Sequence, residues 1–574
     1  MPAGGEKNIV KNKTELITLD IKGASQTYRR GVTVTEVLES ISRTTTYPPL
    51  GAVIHNRLVD PDYQISRDCS VVPVHYDDFQ GMGIYRRTAV LILVEAVNDV
   101  FPGKRLVIGQ SIANGYYFHI YLDDKVSKPD LNRISMKMRE IIAENRPIIR
   151  QTLPFNEAKE YFREQRQLDK VDLLNYLHSS EVTLISCGKS KQLYTEPLAA
   201  KTGLIRVFAL APYENGFILR FPRQSELVKL PTWAREWKLT LTLKDEKLFQ
   251  EYNETRYWNK ILGVENVGQL NQKCVNGDVR KLIAIAEALH EKKIAAIADE
   301  INRHRDRLKL VLIAGPSSSG KTTFAKRLMI QLQVNGLKPI VLNMDNYYKP
   351  PEEVPRTELG EPDFEDLEAL ELELFNSHLE QLMAGKEVIP PIFDFKKGER
   401  RQGEGIPIRL EPGSILMVEG IHGINPRLTH SVPEVKKFRI YVSALPQLRV
   451  DDHTRIFTAD NRLLRRIVRD RKYRGCDATE SLGRWPSVRH GENRNIFPFQ
   501  ENADVTFNSA LIYELGVLRQ YAELALLDVS PEQAEYREAD RLLNFLSFFA
   551  PIPEEDVPSK SILREFIGNS FFAY

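Results

Sequence analysis

The sequence predicts an α/β protein: a doubly wound parallel sheet in the C-terminal part, preceded by two α+β domains. Three observations carry this expectation. From about residue 306 onward, apolar strand-like runs alternate with helical periodicity, as a parallel sheet with crossover helices requires. One run, Leu308–Ala314, feeds Gly315-Pro-Ser-Ser-Ser-Gly-Lys-Thr322, a glycine-rich loop of P-loop type that opens into a helix. Two further runs, Pro339–Met344 and Ser414–Val418, are followed at once by acids, Asp345 and Glu419.

Taken in chain order, residues 1–14 read as a polar tail and 15–77 as a small α+β unit. Ile17, Leu19 and Ile21 alternate as in a strand, and Thr33-Val-Thr-Glu36 has the spacing of a capping box that opens a helix through Val37, Leu38 and Ile41. Short apolar segments follow at Gly51–Ile54 and Ser70–Pro73. A second domain, 80–240, mixes helices (Thr88–Val100, Leu131–Glu144) with strands near Tyr116–Leu122 and Phe217–Phe221. Residues 241–305 form a helical connector, with clear periodicity over Val279–Ile301, and 306–574 form the last domain. Behind the glycine-rich loop, Phe324, Leu328 and Leu332 recur at helical spacing until Asn335-Gly336 ends the helix.

At 574 residues the chain is too long for one core. Its +2 formal charge, from 79 basic and 77 acidic residues, gives no global field toward nucleic acid or membrane. Cys69, Cys187, Cys274 and Cys476 lie far apart with no CxxC pair, which argues against a disulfide framework or zinc knuckle and suits a reducing cytoplasm. The N-terminus lacks the apolar core of a signal peptide, and the run Ala89–Val97 is interrupted by Glu95, so nothing is expected to span a bilayer.

The loop and the two acids suggest a chemistry. Gly315 and Gly320 let consecutive amides turn toward phosphate oxygens, Lys321 adds charge over the β/γ-phosphates, and Thr322 offers a hydroxyl to Mg²⁺. The candidate ATP-binding residues are therefore Gly315, Pro316, Ser317, Ser318, Ser319, Gly320, Lys321, Thr322 and Thr323. Glu419 is placed as the Walker-B-type metal partner, the bland alternative being a solvated strand-end carboxylate. Asp345 is left as acceptor of the proton from an attacking hydroxyl, the alternative being a helix cap. Arg462, Arg465, Arg466 and Arg469 share one helix face, with Arg474 in the next loop. Such a face is either simply solvated or, behind a P-loop, carried on a mobile lid that neutralises the transferring phosphoryl group.

Residues 306–540 resemble the uridine kinase/phosphoribulokinase superfamily, and specifically bacterial nucleoside kinases of the uridine kinase type. The stretches that carry the resemblance are Gly315–Thr323, Met344–Tyr348, Pro362–Glu365, Ile392–Phe395, Val418–Gly420 and Leu464–Asp470 with Arg474-Gly475. The resemblance implies Asp345, Lys321 and Arg469 as catalytic residues, with Asp345 the base on a ribose 5′-hydroxyl. It also implies Tyr348, Phe364, Glu365, Phe393 and Arg474 at the substrate, Glu365 taking the sugar hydroxyls. The chain departs from the pattern at two points: Gly398 stands where uridine-cytidine kinases have a base-reading histidine, and Cys476 where an arginine is usual. Loss of such a hydrogen bond changes specificity by orders of magnitude. The segment Trp485–Gly491 and the tail Ser561–Phe566 lie outside the short kinases' pattern.

Residues 15–77 resemble a TGS domain, the small ubiquitin-like module of threonyl-tRNA synthetases. Residues 80–240 look like the second additional domain of threonyl- and alanyl-tRNA synthetases, on the stretches Ile108–Leu122, Asn156–Phe162 and Lys201–Gly203. That domain edits mischarged tRNA through a His-x-x-x-His pair and a later cysteine. Here Arg86-Arg-Thr-Ala-Val90 occupies the first position and Tyr194 lies near the second, so editing is not expected and a binding, regulatory or dimerising role is. Residues 1–78 hold nine Lys plus Arg against ten Asp plus Glu, so RNA binding is not favoured. Arg29-Arg30 and Arg86-Arg87 read as surface residues.

The expected function is thus ATP- and Mg²⁺-dependent phosphorylation of a nucleoside 5′-hydroxyl by a cytoplasmic homo-oligomer with a small-molecule substrate. Thr322 and Glu419 would hold the metal. Two alternatives stand: a kinase for another small alcohol or a sugar phosphate, and a nucleotide-switched protein acting on tRNA or ribosomes.

Overall fold

The computed structural model describes residues 15–42, 48–112, 114–177, 179–222, 246–357, 360–394, 399–401 and 403–573. The tail 1–14 and Gly398, both read from the sequence above, lie outside the described residues. In the first unit a hairpin of β1 (Leu16–Ile21) and β2 (Ala24–Arg29) precedes β3 (Val32–Thr33) and the helix Val34–Ser42. The capping box forms as expected: Thr33 N–H donates to Glu36 Oε2 at 2.8 Å, and Glu36 N–H to Thr33 Oγ1 at 3.3 Å. Strands β4 (Gly51–Ile54), β5 (Arg57–Val59), β6 (Gln64–Ile65) and β7 (Cys69–Val74) follow. The main sheet runs β2-β1-β7-β4-β5, with β3 and β6 paired beside it. Ile17, Leu19 and Ile21 all point into its core.

The second unit opens on the helix Phe79–Val100, which starts well before the expected Thr88. Gly81 and Gly83 hide that start in the sequence, yet Gly81 is required there: a Cβ would lie 1.7 Å from the His75 carbonyl oxygen. Strands β8 (Leu106–Ile112) and β9 (Gly115–Ile120) are followed by the helix Lys128–Ala143, then β10 (Ile149–Pro154), β11 (Glu181–Ser186) and β12 (Gln192–Leu193), and finally β13 (Ala209–Tyr213) and β14 (Gly216–Arg220). They make two antiparallel sheets, β13-β14-β9-β8 and β10-β11-β12. Three connector helices come next: Glu246–Leu262, Val267–Val275 and Val279–Arg303.

The C-terminal sheet comprises β15 (Leu310–Ala314), β16 (Lys338–Asn343), β19 (Ser414–Glu419), β20 (Lys437–Ser443) and β21 (Val505–Asn508), with a small hairpin of β17 (Ile392–Asp394) and β18 (Glu399–Arg401) inserted. Its order is β16-β19-β15-β20-β21 and every pairing is parallel. Alternation along β15 shows that both faces are covered. Leu310 and Leu312 enter a core with Met344, Phe375 and Leu428, while Val311 and Ile313 enter one with Phe324, Leu328 and the connector residues Ile294 and Ile301. The sheet is doubly wound. Among the described residues no helix is long and apolar enough to cross a membrane, and all four cysteines are free thiols.

Candidate functional site

Register places the chemistry. Glu419 ends β19 level with Asn343 of β16 on one side and Ile313 of β15 on the other. Asp345 and the loop after Ala314 therefore flank Glu419 at the carboxyl ends of three adjacent strands, where ligands of open parallel sheets bind.

The loop is built for close approach. A Cβ at Gly315 would lie 2.2 Å from the Val442 carbonyl oxygen, and Gly320 holds φ +81°, the left-handed region. Ser318 adopts φ 58°, a conformation unusual for serine. The hydroxyls of Ser318 and Ser319 are buried without a hydrogen-bond partner among the described residues, two donors that a loop closing on a phosphate could use. Lys321 Nζ rests on the Pro316 carbonyl at 3.1 Å. Thr322 Oγ1 lies 3.4 and 3.3 Å from the two Glu419 oxygens. This pair of hard oxygen donors fits Mg²⁺.

Three carboxylates feel the Lys321 ammonium: Asp345, Glu365 and Glu419. Burial pushes the Glu419 carboxyl up to about 7, Lys321 opposes this, and the neighbouring Asp345 and Glu565 push it further up. Asp345 is half-buried, and burial raises it too, against Lys321 and Arg474. Its backbone N–H donates to Asn343 Oδ1 at 3.0 Å, so Asn343 caps the 3₁₀ turn Met344–Tyr347. The carboxylate of Asp345 accepts no hydrogen bond among the described residues, and it does not act as a cap.

After the 3₁₀ turn, Tyr348 packs edge-on against Phe364 (5.7 Å) and tilted against Phe393 (6.0 Å). The Tyr348 hydroxyl donates to the Phe364 carbonyl at 3.2 Å, so this ring is a wall rather than a hydroxyl presented to ligand. Glu365 Oε2 is buried with no hydrogen-bond partner, and burial together with Glu492 raises its carboxyl to about 7.

The arginines divide. Arg462 and Arg465, on the helix Thr458–Tyr473, are fully buried at 0% exposure. Arg462 Nε donates to the Ser317 carbonyl at 2.9 Å, and Arg465 donates to the Ser509 carbonyl at 3.0 Å and reaches the Ser318 carbonyl at 3.4 Å. They pair with Glu492 and Glu514. The expected lid is corrected here: half of the arginine face is core that braces the loop from behind, since buried guanidiniums satisfy carbonyls that a tight loop leaves without partners. Arg466 reaches Ser317 Oγ at 3.3 Å. Arg469 and Arg474 both lean on Asp470, at 2.7 and 3.6 Å.

Residues 310–512 match the Phosphoribulokinase / Uridine kinase family. This part of the chain is a P-loop kinase domain. The N-terminal region is similar to threonine–tRNA ligases: 32% identical over 197 residues to that of Acetivibrio thermocellus, covering 34% of this chain and 31% of that protein. The ligase of Desulforamulus reducens is 28% identical over 254 residues, covering 44% and 39%. The chain thus spans about a third of the length of the curated relatives it matches. Among solved structures, a possible uridine kinase from Bacillus stearothermophilus aligns at 19% identity and a TM-score of 0.24, over 35% of this chain and 89% of that one.

Sequence reasoning missed three parts of the kinase domain. Glu492, at 0% exposure, accepts from the Ser317 N–H at 3.1 Å, so a phosphate reaching that amide exchanges one acceptor for another. Glu565 in the C-terminal tail accepts from both the N–H (3.1 Å) and the hydroxyl (2.7 Å) of Thr323, which was expected among the ATP ligands. Gly491 lets its helix meet Glu365, since a Cβ there would lie 2.2 Å from Glu365 Cβ. The only available signal was that Trp485–Gly491 and Ser561–Phe566 fell outside the short kinases' pattern.

In the N-terminal region, Arg86 and Arg87 are not the surface residues expected. Arg87 pairs with Glu196 at 2.6 Å and donates to the Pro197 carbonyl at 2.9 Å; Arg86 lies over the rings of Tyr116 and Phe221. The Tyr194 hydroxyl donates to Asp60 Oδ1 at 2.8 Å, tying the first two units together.

Proposed function

We propose that the protein is a cytoplasmic, ATP- and Mg²⁺-dependent kinase that phosphorylates the 5′-hydroxyl of a nucleoside, working as a homo-oligomer on a small-molecule substrate. The observation that carries this reading is the arrangement around Lys321: Asp345, whose carboxylate accepts no hydrogen bond among the described residues, shares that lysine with Glu419, which touches Thr322. The loop amides and Lys321 hold the triphosphate, and Thr322 with Glu419 holds Mg²⁺, which when bound neutralises charge on the β- and γ-phosphates. Asp345 accepts the hydroxyl proton as the acceptor oxygen bonds to the γ-phosphorus and the bond to ADP breaks. Glu365, whose Oε2 lacks a partner, takes vicinal hydroxyls of the acceptor, and Tyr348, Phe364 and Phe393 wall its apolar face. Arg469 and Arg474 move from Asp470 to the phosphates. The TGS-like and synthetase-like units serve as a regulatory or binding part without editing chemistry.

An acceptor screen over nucleosides, sugar phosphates and simple alcohols, followed by ADP release and mass identification of the product, tests the substrate class. Transfer to a sugar phosphate alone would replace the nucleoside. In Asp345→Asn, kcat should fall about a hundred- to ten-thousandfold with nucleotide affinity nearly unchanged. Full activity in that variant would remove the proposed base.

A further inference from the structure

A cavity of about 100 Å³ lies between the synthetase-like unit and the kinase domain, far along the chain from the P-loop. Its walls are mainly apolar: Val90, Leu91, Val94 and Ile108 from one side, Val450 and Phe545 from the other. The charges at its rim can be accounted for one by one. Glu196 is met by Arg87 at 2.6 Å and by Arg541 at 3.6 Å. Asp460 takes a two-pronged bond from Arg541 at 2.8 and 2.9 Å. Asp451 faces Lys170 at 3.7 Å.

Arg455 is the exception. It is 9% exposed, lines the cavity, and has no carboxylate within ion-pair distance among the described residues. Its guanidinium lies 5.0 Å over the Tyr116 ring and 5.2 Å over the Phe457 ring. Among the described residues its one side-chain hydrogen bond is a long 3.4 Å contact to Gln110 Oε1, and its Nε is buried without an acceptor. Arg86 also lies over Tyr116 and adds positive charge, while Asp460, already held by Arg541, attracts Arg455 from beyond ion-pair distance. Two aromatic faces and a carboxylate beyond ion-pair distance offset only part of the desolvation of a guanidinium, and a buried cation without a directly paired anion is disfavoured.

We propose that this cavity binds a small organic carboxylate, its anionic head on Arg455 and its hydrocarbon body against Val90, Leu91 and Phe545. The carboxylate form is favoured over phosphate because the walls are mainly apolar and Arg455 is the one lining guanidinium without an ion pair among the described residues, Arg87 and Arg541 being held by Glu196 and Asp460. The volume approaches that of engineered cavities, about 150 Å³, that admit benzene.

The test uses the full chain and matched probes: benzoate against benzamide, isovalerate against isovaleramide, and inorganic phosphate. Thermal melts and calorimetric titrations should show saturable binding of at least one carboxylate and none of its amide. Arg455→Met should bind that carboxylate at least about tenfold more weakly, the loss expected for one charge-assisted hydrogen bond. Its own Tm should equal or exceed that of the unsubstituted protein, because an unpaired buried charge has gone. Val90→Phe, which fills the cavity and leaves Arg455 in place, should abolish the carboxylate effect. The proposal is overturned if acids and amides act alike, if phosphate alone binds, if no carboxylate saturates, or if Arg455→Met binds as before. A marked fall in the Tm of Arg455→Met would also overturn it, by making the guanidinium a structural fixture.

Discussion

Glu365 shows how a single buried side chain can make stability depend on pH. Burial and the nearby Glu492 lift its carboxyl from an ordinary 4.5 to about 7, against the pull of Arg466, Lys321 and Arg462. A folded-state pKa above the unfolded value means that the group's stabilising contribution is complete below pH 4.5 and is lost as pH rises through about 7. Above pH 7 the ionised carboxylate then costs about 2–3 kcal/mol, reduced by whatever solvent reaches it. Glu365→Gln should therefore melt higher than the unsubstituted protein above pH 7, with the two curves converging below pH 4.5, while its KM for the acceptor rises. Melting curves across that range check it; a gap that persists at acid pH would place the strain elsewhere. The sequence showed the carboxylate and its neighbours Phe364 and Tyr348. It did not show the missing partner on Oε2, because that depends on Gly491 admitting a distant helix to within contact of Glu365.

The helix Thr458–Tyr473 carries arginines with two different duties. Periodicity put Arg462, Arg465, Arg466 and Arg469 on one face but could not tell which carboxylates would reach them, since Glu492 and Glu514 come from later elements. Once paired, Arg462 and Arg465 are sealed from water, and each also reaches one P-loop carbonyl. Arg465→Ala leaves Glu514 buried and uncompensated and should destabilise the protein by about 3–5 kcal/mol. Arg469→Ala breaks only a contact with the adjacent Asp470 and should shift stability by about 1 kcal/mol or less, while lowering kcat. Denaturant melts beside steady-state rates separate the two; equal stability losses would put both arginines in the brace. The P-loop itself was legible because its glycines, strand and helix are contiguous. Its supports were not, because they are assembled from residues 462 to 565.

At the scale of the whole molecule, the kinase domain does not end where its family resemblance does. One apolar core runs from Ala158 and Phe162 through the connector to Phe566 and Ile567. The seam beside it is held by Asp452. Its carboxylate takes Arg105 at 2.8 Å and Arg449 at 3.1 Å, its carbonyl accepts from the Ile108 N–H at 2.8 Å, and its N–H donates to Asp169 Oδ2 at 2.7 Å. Asp169 is in turn held below the usual carboxylate range, because Lys170, the Asp452 N–H and the nearby His453 and Arg105 together outweigh its burial. Substituting Asp452→Ala removes the shared anion and leaves the guanidinium of Arg449, buried to 9% exposure, with Glu265 as its one remaining carboxylate. The expected loss is about 3–5 kcal/mol, the range for breaking a buried pair from one side. Because one core holds residues of both halves, from Ala158 to Ile567, that loss should appear as a single cooperative transition moved to lower temperature, followed alike by kinase-domain and N-terminal probes. Two separated transitions in calorimetry, with the kinase domain melting where it did before, would show instead that the halves fold independently and that the resemblance to synthetases in one half has no mechanical bearing on the other.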